Sequence, residues 1–239
     1  MDPRISIIDK RLAEVKRIIA VSGGKGGVGK SSAAAALSLC LSDSGYKTGL
    51  IDLDLNGYSS HVILNISDKL FPKEEKGLVP PEINGIKYMT AYFFSKNNAA
   101  PLRGYDISNA IIEIFTITIW DKLDFLIIDM PPGLGDTTLD TIRLLKKMEF
   151  LLITTPSKIS HEVLKKEVSI LNELKINIVG IVQNMQKDDL PLINISNIDF
   201  LGIIDFDNKY ESSLGNIDKL KKTGFYEDIM RVSKKILNK

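Results

Sequence analysis

A glycine-rich segment near the start of the chain has the residue types and spacing of a phosphate-binding loop. Residues 22–32 read "SGGKGGVGKSS". The segment satisfies the nucleotide-binding pattern G-x-x-x-x-G-K-S/T at Gly24, Gly29, Lys30 and Ser31. Glycines allow backbone N–H groups to turn towards an anion, and the start of the following helix adds the positive end of its dipole. In this chemistry Lys30 contacts the β- and γ-phosphates and Ser31 is a magnesium ligand.

The candidate nucleotide-binding residues all lie in this loop or in the first turn of the helix that follows it. They are Gly24, Lys25, Gly26, Gly27, Val28, Gly29, Lys30, Ser31 and Ser32. The alternative is a glycine-rich turn that only joins a strand to a helix. An apolar strand pattern before the loop and a helical pattern after it favour phosphate binding.

Acidic residues follow two further apolar segments. Asp52 and Asp54 lie in "GLIDLDLNGYSS", and Asp129 ends the apolar run of "FLIIDMPPGLGD". An acid at the end of an apolar strand has the form of the carboxylate that holds the magnesium shell in nucleotide-hydrolysing proteins. Residues two apart on a strand point to the same side, so Asp52 and Asp54 are both able to face the phosphate site. The alternative for Asp52 is a cap on the following turn.

Strand and helix patterns alternate along the chain, which predicts an α/β fold: a single doubly wound domain with a mostly parallel sheet and helices on both faces. Strands are predicted at Ile18–Ser22 and Thr48–Leu53 and within residues 85–94, 123–133, 150–156, 176–184 and 200–205. Helices are predicted at Lys30–Asp43, Ile107–Ile119, Ser160–Leu174 and Glu227–Leu237. Residues 1–16 are predicted to form an N-terminal arm or helix, and residues 17–239 the domain. Residues 69–85 are predicted to be a polar loop.

The charge and cysteine content give no reason to expect a nucleic-acid or membrane partner. The 31 basic and 30 acidic residues give a net charge of +1. Cys40 is the one cysteine, which suits a reducing cytosol, and the N-terminus lacks the uninterrupted apolar core of a signal peptide. A cytoplasmic location is therefore expected.

The lysine at the front of "KGGVGKS" makes this loop resemble the deviant Walker A motif of the MinD, ParA, nitrogenase-iron-protein and Mrp group of ATPases. The resemblance implies a homodimer in which Lys25 reaches across to the nucleotide of the other subunit. It assigns Lys30 to catalysis as well, Asp54 to positioning or activating the attacking water, and Asp52 to the water shell of Mg²⁺. It also implies an ATPase that is slow without a partner.

Asn184 ends the segment "IVGIVQN". In the resembled family this asparagine contacts the adenine ring. A guanine-binding motif would have the pattern Asn-Lys-x-Asp. Met-Gln-Lys follows Asn184 here, which favours ATP over GTP. The alternative is an asparagine that serves a turn at the end of a strand.

Within the group, the chain most resembles the Mrp/ApbC branch of iron–sulfur cluster carriers. The matching segments include "LDFLIIDMPPGLGDTTL", "LLITTPSKIS" and "NIVGIVQNM", and the resemblance runs from Arg11 to about Asp207. It implies a role in iron–sulfur cluster assembly or transfer, with an apo-protein or a cluster-assembly protein as partner.

Two positions depart from that branch. Its carriers commonly have a C-x-x-C pair after the stretch that reads "NMQKDDLPLINISN" here, and this chain has no cysteine there. Two such pairs in a homodimer would provide the four thiolates of a [4Fe–4S] cluster. Cys40 lies among leucines in the helix after the loop, so it is expected to be a packed core thiol. Tyr58 stands where the branch usually has proline.

The alternative function is a MinD/ParA-like spatial organiser that acts at a membrane or on a partner protein. The tail "YEDIMRVSKKILNK" carries apolar residues at helical spacing with lysines between them, a pattern that also occurs in membrane-surface helices. A last helix packed on the core is the favoured interpretation, because most such stripes face a core. A nucleotide sensor without hydrolysis is disfavoured because Lys30, Asp54 and Asp129 are all present.

Overall fold

The computed structural model describes residues 2–54, 57, 59–67, 70–91, 93, 105–187 and 190–239, with only the backbone described at position 105. Helices in this part are α1 Arg4–Arg11, α2 Lys30–Asp43, α3 Ser60–Ile63, α4 Tyr105–Ile117, α5 Asp136–Leu144, α6 Lys158–Glu173, α7 Ile217–Leu220 and α8 Gly224–Leu237, with a 3-10 turn at Glu211–Ser213. Tyr58 lies outside the described residues.

The strands form one large sheet and one small ribbon. They are β1 Val15–Ser22, β2 Thr48–Asp52, β3 Lys73–Glu74, β4 Leu78–Val79, β5 Glu82–Ile83, β6 Ile86–Thr90, β7 Leu123–Asp129, β8 Met148–Thr154, β9 Ile178–Gln186 and β10 Phe200–Asp205. Across the large sheet the order is β10-β9-β8-β1-β7-β2-β6-β5, and every neighbouring pair is parallel except β5 and β6. The predicted α/β class with a mostly parallel sheet is confirmed.

β1 lies in the middle of the sheet and α2 packs closely on it. Ile19, Ala20 and Val21 have no exposed surface, as expected for a strand covered on both faces. In α2 the four alanines of residues 33–36 are also fully buried. Their small side chains let the helix approach β1, β2 and β7. This packing fixes the start of α2 above the end of β1.

The segment predicted as a polar loop, residues 69–85, contains strands instead. β3 pairs with β4, and β5 forms a hairpin with β6. The hairpin turn is Asn84-Gly85, and both residues have positive φ angles, 50° and 76°. That is the backbone of a type I′ turn, for which Asn-Gly is the preferred pair. The loop prediction was therefore wrong at these short strands.

The first strand begins earlier than predicted. β1 starts at Val15, inside the segment expected to be an arm. α1 packs against α4, and its Ile8 is buried in the hydrophobic core. The division of the chain at residue 16 stays a prediction.

The last helix, α8, packs on the core through its apolar stripe. Phe225, Ile229, Val232 and Ile236 are buried, and the helix lies against α2 and β10. Thr223 caps its start by accepting a hydrogen bond from the Tyr226 N–H at 3.1 Å. The favoured interpretation of this stripe is confirmed. Among the described helices, none has the length and apolar character needed to cross a bilayer.

Candidate functional site

Three neighbouring strands bring the candidate residues to one edge of the sheet. β7 lies between β1 and β2, and Asp129 is in register with Val21 on one side and with Asp52 on the other. β1 ends at Ser22, so the glycine-rich loop leaves the sheet beside both carboxylates. The parallel register therefore places the predicted phosphate loop and the predicted magnesium ligands together.

The backbone of the loop is open to a ligand. Among the described residues, none accepts a hydrogen bond from the backbone N–H groups of residues 25–29. Gly29 stands just before α2 with φ +89°, a left-handed conformation that favours glycine. A Cβ at Gly29 would also lie 2.2 Å from Asn184 Nδ2. The loop thus depends on glycine for its shape as well as for its unpaired donors.

The two lysines of the loop differ in exposure. Lys30 is 7% exposed and lies at the first position of α2, and its positive charge favours the ionised form of Asp129. Lys25 is exposed, and no described residue forms a hydrogen bond or an ion pair with it. The chain therefore buries Lys30 at the start of α2 and leaves Lys25 exposed to solvent.

Asp129 has the environment of a cation ligand. It is fully buried, and neither of its carboxylate oxygens accepts a hydrogen bond from the part of the chain that the structure describes. Burial raises the pKa of Asp129 well above its usual value and the Asp52 charge adds to this, while Ser31 and Lys30 lie near enough to oppose it. Unpaired buried oxygens are costly, and a hard divalent cation would satisfy them. The residues present therefore fit Mg²⁺.

Asp52 is fixed by the turn that follows it. Its Oδ1 accepts the Asp54 N–H at 3.0 Å, and its Oδ2 accepts the Ser60 hydroxyl at 2.5 Å. Burial raises the pKa of Asp52 to about 6 against these hydrogen bonds, and the Asp54 charge also raises it. The capping alternative describes these contacts, and the role of Asp52 in a magnesium shell stays a prediction.

Asp54 is less constrained than Asp52. It is half-buried, and its Oδ1 accepts the Gly57 N–H at 3.0 Å. Its charge acts on both Asp52 and Asp129, so the three carboxylates share one electrostatic environment. Within the described residues, no group of three or more His, Cys, Asp and Glu side chains has the arrangement of a protein-only metal site.

Asn184 connects β9 to the loop. Its Nδ2 donates to the Val28 carbonyl oxygen at 2.9 Å, and its Oδ1 accepts the Met185 N–H at 2.9 Å. The side chain is buried, with 3% of the residue exposed. It lies within the strand β9 and clamps the loop against the sheet, and its predicted contact with adenine is not tested by this geometry.

Two contacts at the site were not anticipated from the sequence. Ser60 bridges Asp52 and Tyr88, with 2.8 Å between the two hydroxyl oxygens. Tyr210 donates its hydroxyl to Ser32 Oγ at 2.5 Å. Tyr210 is 178 residues from Ser32 along the chain, whereas Ser60 is eight residues from Asp52 and 28 from Tyr88.

Cys40 is a buried core residue, as predicted. It has no exposed surface and is not in a disulfide. Burial raises the pKa of its thiol to about 12, so the thiolate that binds iron is strongly disfavoured there.

Comparison with known proteins identifies the family. Residues 14–216 match the family described as ParA, the NUBPL iron-transfer P-loop NTPase. An iron–sulfur cluster carrier protein from Pseudomonas fragi is 38% identical over 73% of this chain and 62% of its own length. A protein named cytosolic Fe-S cluster assembly factor Nubp2 homolog 2, from Drosophila yakuba, is 37% identical over 73% of this chain and 70% of its own. The chain spans from about half to about three fifths of the length of the carrier proteins it matches.

Solved structures give the same fold. A nucleotide-binding protein from Archaeoglobus fulgidus in complex with ADP superposes with a TM-score of 0.71 at 27% identity, covering 96% of this chain and 93% of that one. The cell-division ATPase MinD from Pyrococcus furiosus has a TM-score of 0.70 at 19% identity, covering 94% and 99%. The second likeness shows the fold alone.

Substitution of Gly29 by alanine is expected to destabilise the protein without any nucleotide present. The left-handed backbone and the Asn184 contact together predict a loss of at least about 1–2 kcal/mol in the free energy of unfolding. Gly26→Ala is the matched control in the same loop, because a Cβ there meets no atom within 4 Å. Urea denaturation measures both variants. Equal stability of the two would contradict the geometry given for Gly29.

Substitution of Asp129 by asparagine is expected to stabilise the metal-free protein at pH values above the pKa that the Asp129 carboxyl group has in the folded state. A raised native pKa means that the folded state binds more protons than the unfolded state, so the stability of the wild type falls as pH rises through that window. Removing the unpaired buried charge should therefore raise the free energy of unfolding by about 1–3 kcal/mol at neutral pH, and by little near pH ~4.

Asp124, on the same strand, provides a control of opposite sign. Its carboxylate accepts hydrogen bonds from Lys16 Nζ at 2.7 Å and the Lys47 N–H at 2.9 Å, and these hold its pKa below the usual value. Asp124→Asn should therefore lower the stability at neutral pH. Denaturation curves in EDTA from pH 4 to pH 8 compare the variants. If Asp129→Asn is less stable than the wild type throughout, the assignment of an uncompensated charge is wrong.

Proposed function

The chain belongs to the ParA family of iron-transfer P-loop NTPases, and we propose that it is a Mg²⁺-dependent ATPase that acts as a homodimer and assists iron–sulfur cluster assembly or transfer. The observation that carries the proposal is the position of Asp129 beside Asp52, at the sheet edge where the phosphate loop begins. Two buried acids lie beside a loop whose backbone N–H groups and following helix provide positive potential. This arrangement suits the binding of a nucleoside triphosphate with its cation.

The loop and the acids have separate roles in hydrolysis. The N–H groups of residues 25–29 and the Lys30 ammonium bind the phosphates. Ser31 and Asp129 would hold Mg²⁺, with Asp52 at its water shell, and the ion would supply positive charge beside the phosphates. Asp54, the most accessible of the three acids, orients the attacking water. Asn184 holds the loop next to the adenine position and favours ATP.

The homodimer is what the resemblance to the deviant Walker A group implies, and the residue concerned is Lys25. It is exposed on the isolated subunit and has no described partner, whereas Lys30 already provides one cation in the same loop. A second lysine that enters from the other subunit stabilises the charge of the departing phosphoryl group only when the dimer closes. Such an arrangement couples hydrolysis to dimer closure and keeps turnover slow until a partner promotes that closure.

The proposed role in iron–sulfur cluster assembly or transfer rests on the family and on the names of the relatives. The cysteine content of the chain limits how the cluster is held. Cys40 is buried, and no other cysteine exists in the sequence. The residues present do not fit a Cys₄-ligated cluster. We therefore propose that a protein partner supplies the cluster ligands while this chain supplies the nucleotide-gated step. A cytoplasmic location suits this role.

Lys25→Ala and Asp54→Ala chains are expected to be inactive alone and active when mixed. In a mixed dimer, the site of the Lys25→Ala subunit keeps its own Asp54 and receives Lys25 from its partner. One complete site then forms per mixed dimer, and phosphate release should recover towards about one quarter of the wild-type rate under random pairing, since mixed dimers are half of the total. Steady-state phosphate release against mixing ratio measures this.

The control for complementation is a chain that carries both substitutions. Mixed with Lys25→Ala, the doubly substituted chain cannot complete any site, so the rate should stay at background. Nucleotide binding by Lys25→Ala should remain, because Lys30 and the loop backbone are unchanged. If the mixture of single variants stays inactive while each one dimerises and binds ATP, a role for Lys25 across the interface is refuted.

Anaerobic reconstitution tests the assignment of cluster ligands to a partner. The protein incubated with iron and sulfide, then desalted, is expected to show no stable visible absorption of a cluster. Cys40→Ala should behave in the same way as the wild type. Recovery of about four irons per dimer in the wild type, the content of a [4Fe–4S] cluster, would show that the chain itself holds the ligands.

A further inference from the structure

A carboxylic acid that the proposed mechanism does not use lies behind the phosphate loop. Glu167, on α6, is only 2% exposed. Its Oε1 accepts a hydrogen bond from the Ser22 hydroxyl at 2.5 Å, and Ser22 is itself fully buried at the last position of β1. A buried acid thus holds the residue from which the loop leaves the sheet.

The second oxygen of Glu167 has no such partner. Oε2 is buried and accepts no hydrogen bond from any residue within the described ranges. Lys30 acts on this carboxyl electrostatically and favours its ionised form, whereas burial favours the protonated form and raises the pKa. Two opposing effects therefore act on the protonation of Glu167: burial favours the protonated form, and the positive charge of Lys30 favours the ionised form.

The contact between α6 and the loop extends beyond Glu167. Val163 lies one helical turn earlier on the same face of α6. A Cβ at Gly24 would come within 2.4 Å of Val163 Cγ1, so the helix surface lies directly against the loop. Glu167 and Val163 together dock α6 on the first half of the loop. Lys30 begins α2 at the other end of the loop.

We propose that Glu167 is a positioning residue of the phosphate loop: it holds Ser22, gives Lys30 a counter-charge, and takes up a proton when the nucleotide's phosphates bring negative charge to Lys30. The proposal rests on the proposed nucleotide binding and deepens it. The proton comes from solvent and binds one carboxylate oxygen of Glu167, and the Ser22 hydroxyl is able to keep donating to the other.

The physical reason is the change of charge around Lys30. The described groups that act on Glu167 are Ser22 from β1 and Lys30 from α2. Phosphate oxygens bring negative charge to Lys30 and so cancel the field that keeps Glu167 ionised. Burial then dominates, and the acid binds a proton. By linkage, ADP binding weakens as pH rises from the pKa of Glu167 in the free protein to its higher pKa in the complex; this range is the titration window. The ADP affinity falls by up to about tenfold per pH unit when one full proton is taken up.

Calorimetric titration of the full chain with ADP and Mg²⁺ tests the proposal. Repeating each titration in buffers of different ionisation enthalpy gives the number of protons exchanged on binding. Glu167→Gln keeps the size of the side chain and an oxygen that accepts from Ser22, but it cannot titrate. We expect the wild type to take up more protons per ADP than Glu167→Gln does. Above the window, Glu167→Gln should bind ADP severalfold more tightly than the wild type.

Glu173→Gln is the matched control, because Glu173 is an exposed acid near the end of the same helix. It should reproduce the wild-type proton count. Ser22→Ala is a second test that does not change the acid: it removes a hydrogen bond that lowers the pKa of Glu167, so proton uptake should move to higher pH. A purely structural contact would not move this window.

The outcomes separate this inference from the proposed function. If the wild type binds ADP and Glu167→Gln exchanges the same number of protons with the same pH dependence, the role of Glu167 is refuted and the nucleotide site stands. If the wild type binds no ADP, both are refuted. If Glu167→Gln does not fold, the Ser22→Ala profile decides, and an unshifted window overturns the proposal.

Discussion

The arrangement of the site depends on one electrostatic constraint, the burial of two carboxyl groups side by side at the edge of a parallel sheet. Asp52 and Asp129 are in register on β2 and β7, and burial and mutual repulsion both favour their neutral forms. A protein retains such a pair at a cost to its stability. The nearby positive groups, Lys30 and the unpaired N–H donors of the loop, are what make the region suitable for an anion with its cation.

Once the acids are fixed, the loop must approach them closely, and the packing around it serves that end. Alanines let α2 lie near the sheet, so that Lys30 reaches the acids from the first turn of the helix. Asn184 on β9 holds Val28, while Val163 on α6 lies against Gly24. Three separate elements, α2, β9 and α6, therefore support the loop and limit the conformations that its backbone is able to adopt.

The sequence predicted those features that depend on local patterns. Helix α2 has the predicted bounds because the loop glycine and the polar residues near Gly45 mark its two ends. The Asn84-Gly85 hairpin was missed although its turn residues are characteristic, because β5 is only two residues long; β6 lies within the strand predicted in residues 85–94. Ser60, Tyr210 and Glu167 could not be found, since each meets its partner through tertiary packing that no spacing along the chain encodes.

The separation of the nucleotide site from any thiol chemistry follows from the same packing. Cys40 lies in α2, the helix that carries Lys30, and its buried thiol lies beside Tyr226 of α8. Turning this thiol outwards to bind iron would require α2 to rotate, and Lys30 would then leave the acids. The helix cannot serve both purposes at once. Any cluster that the proposed function requires would therefore be held by groups outside α2, as the proposal of a partner that supplies the ligands requires.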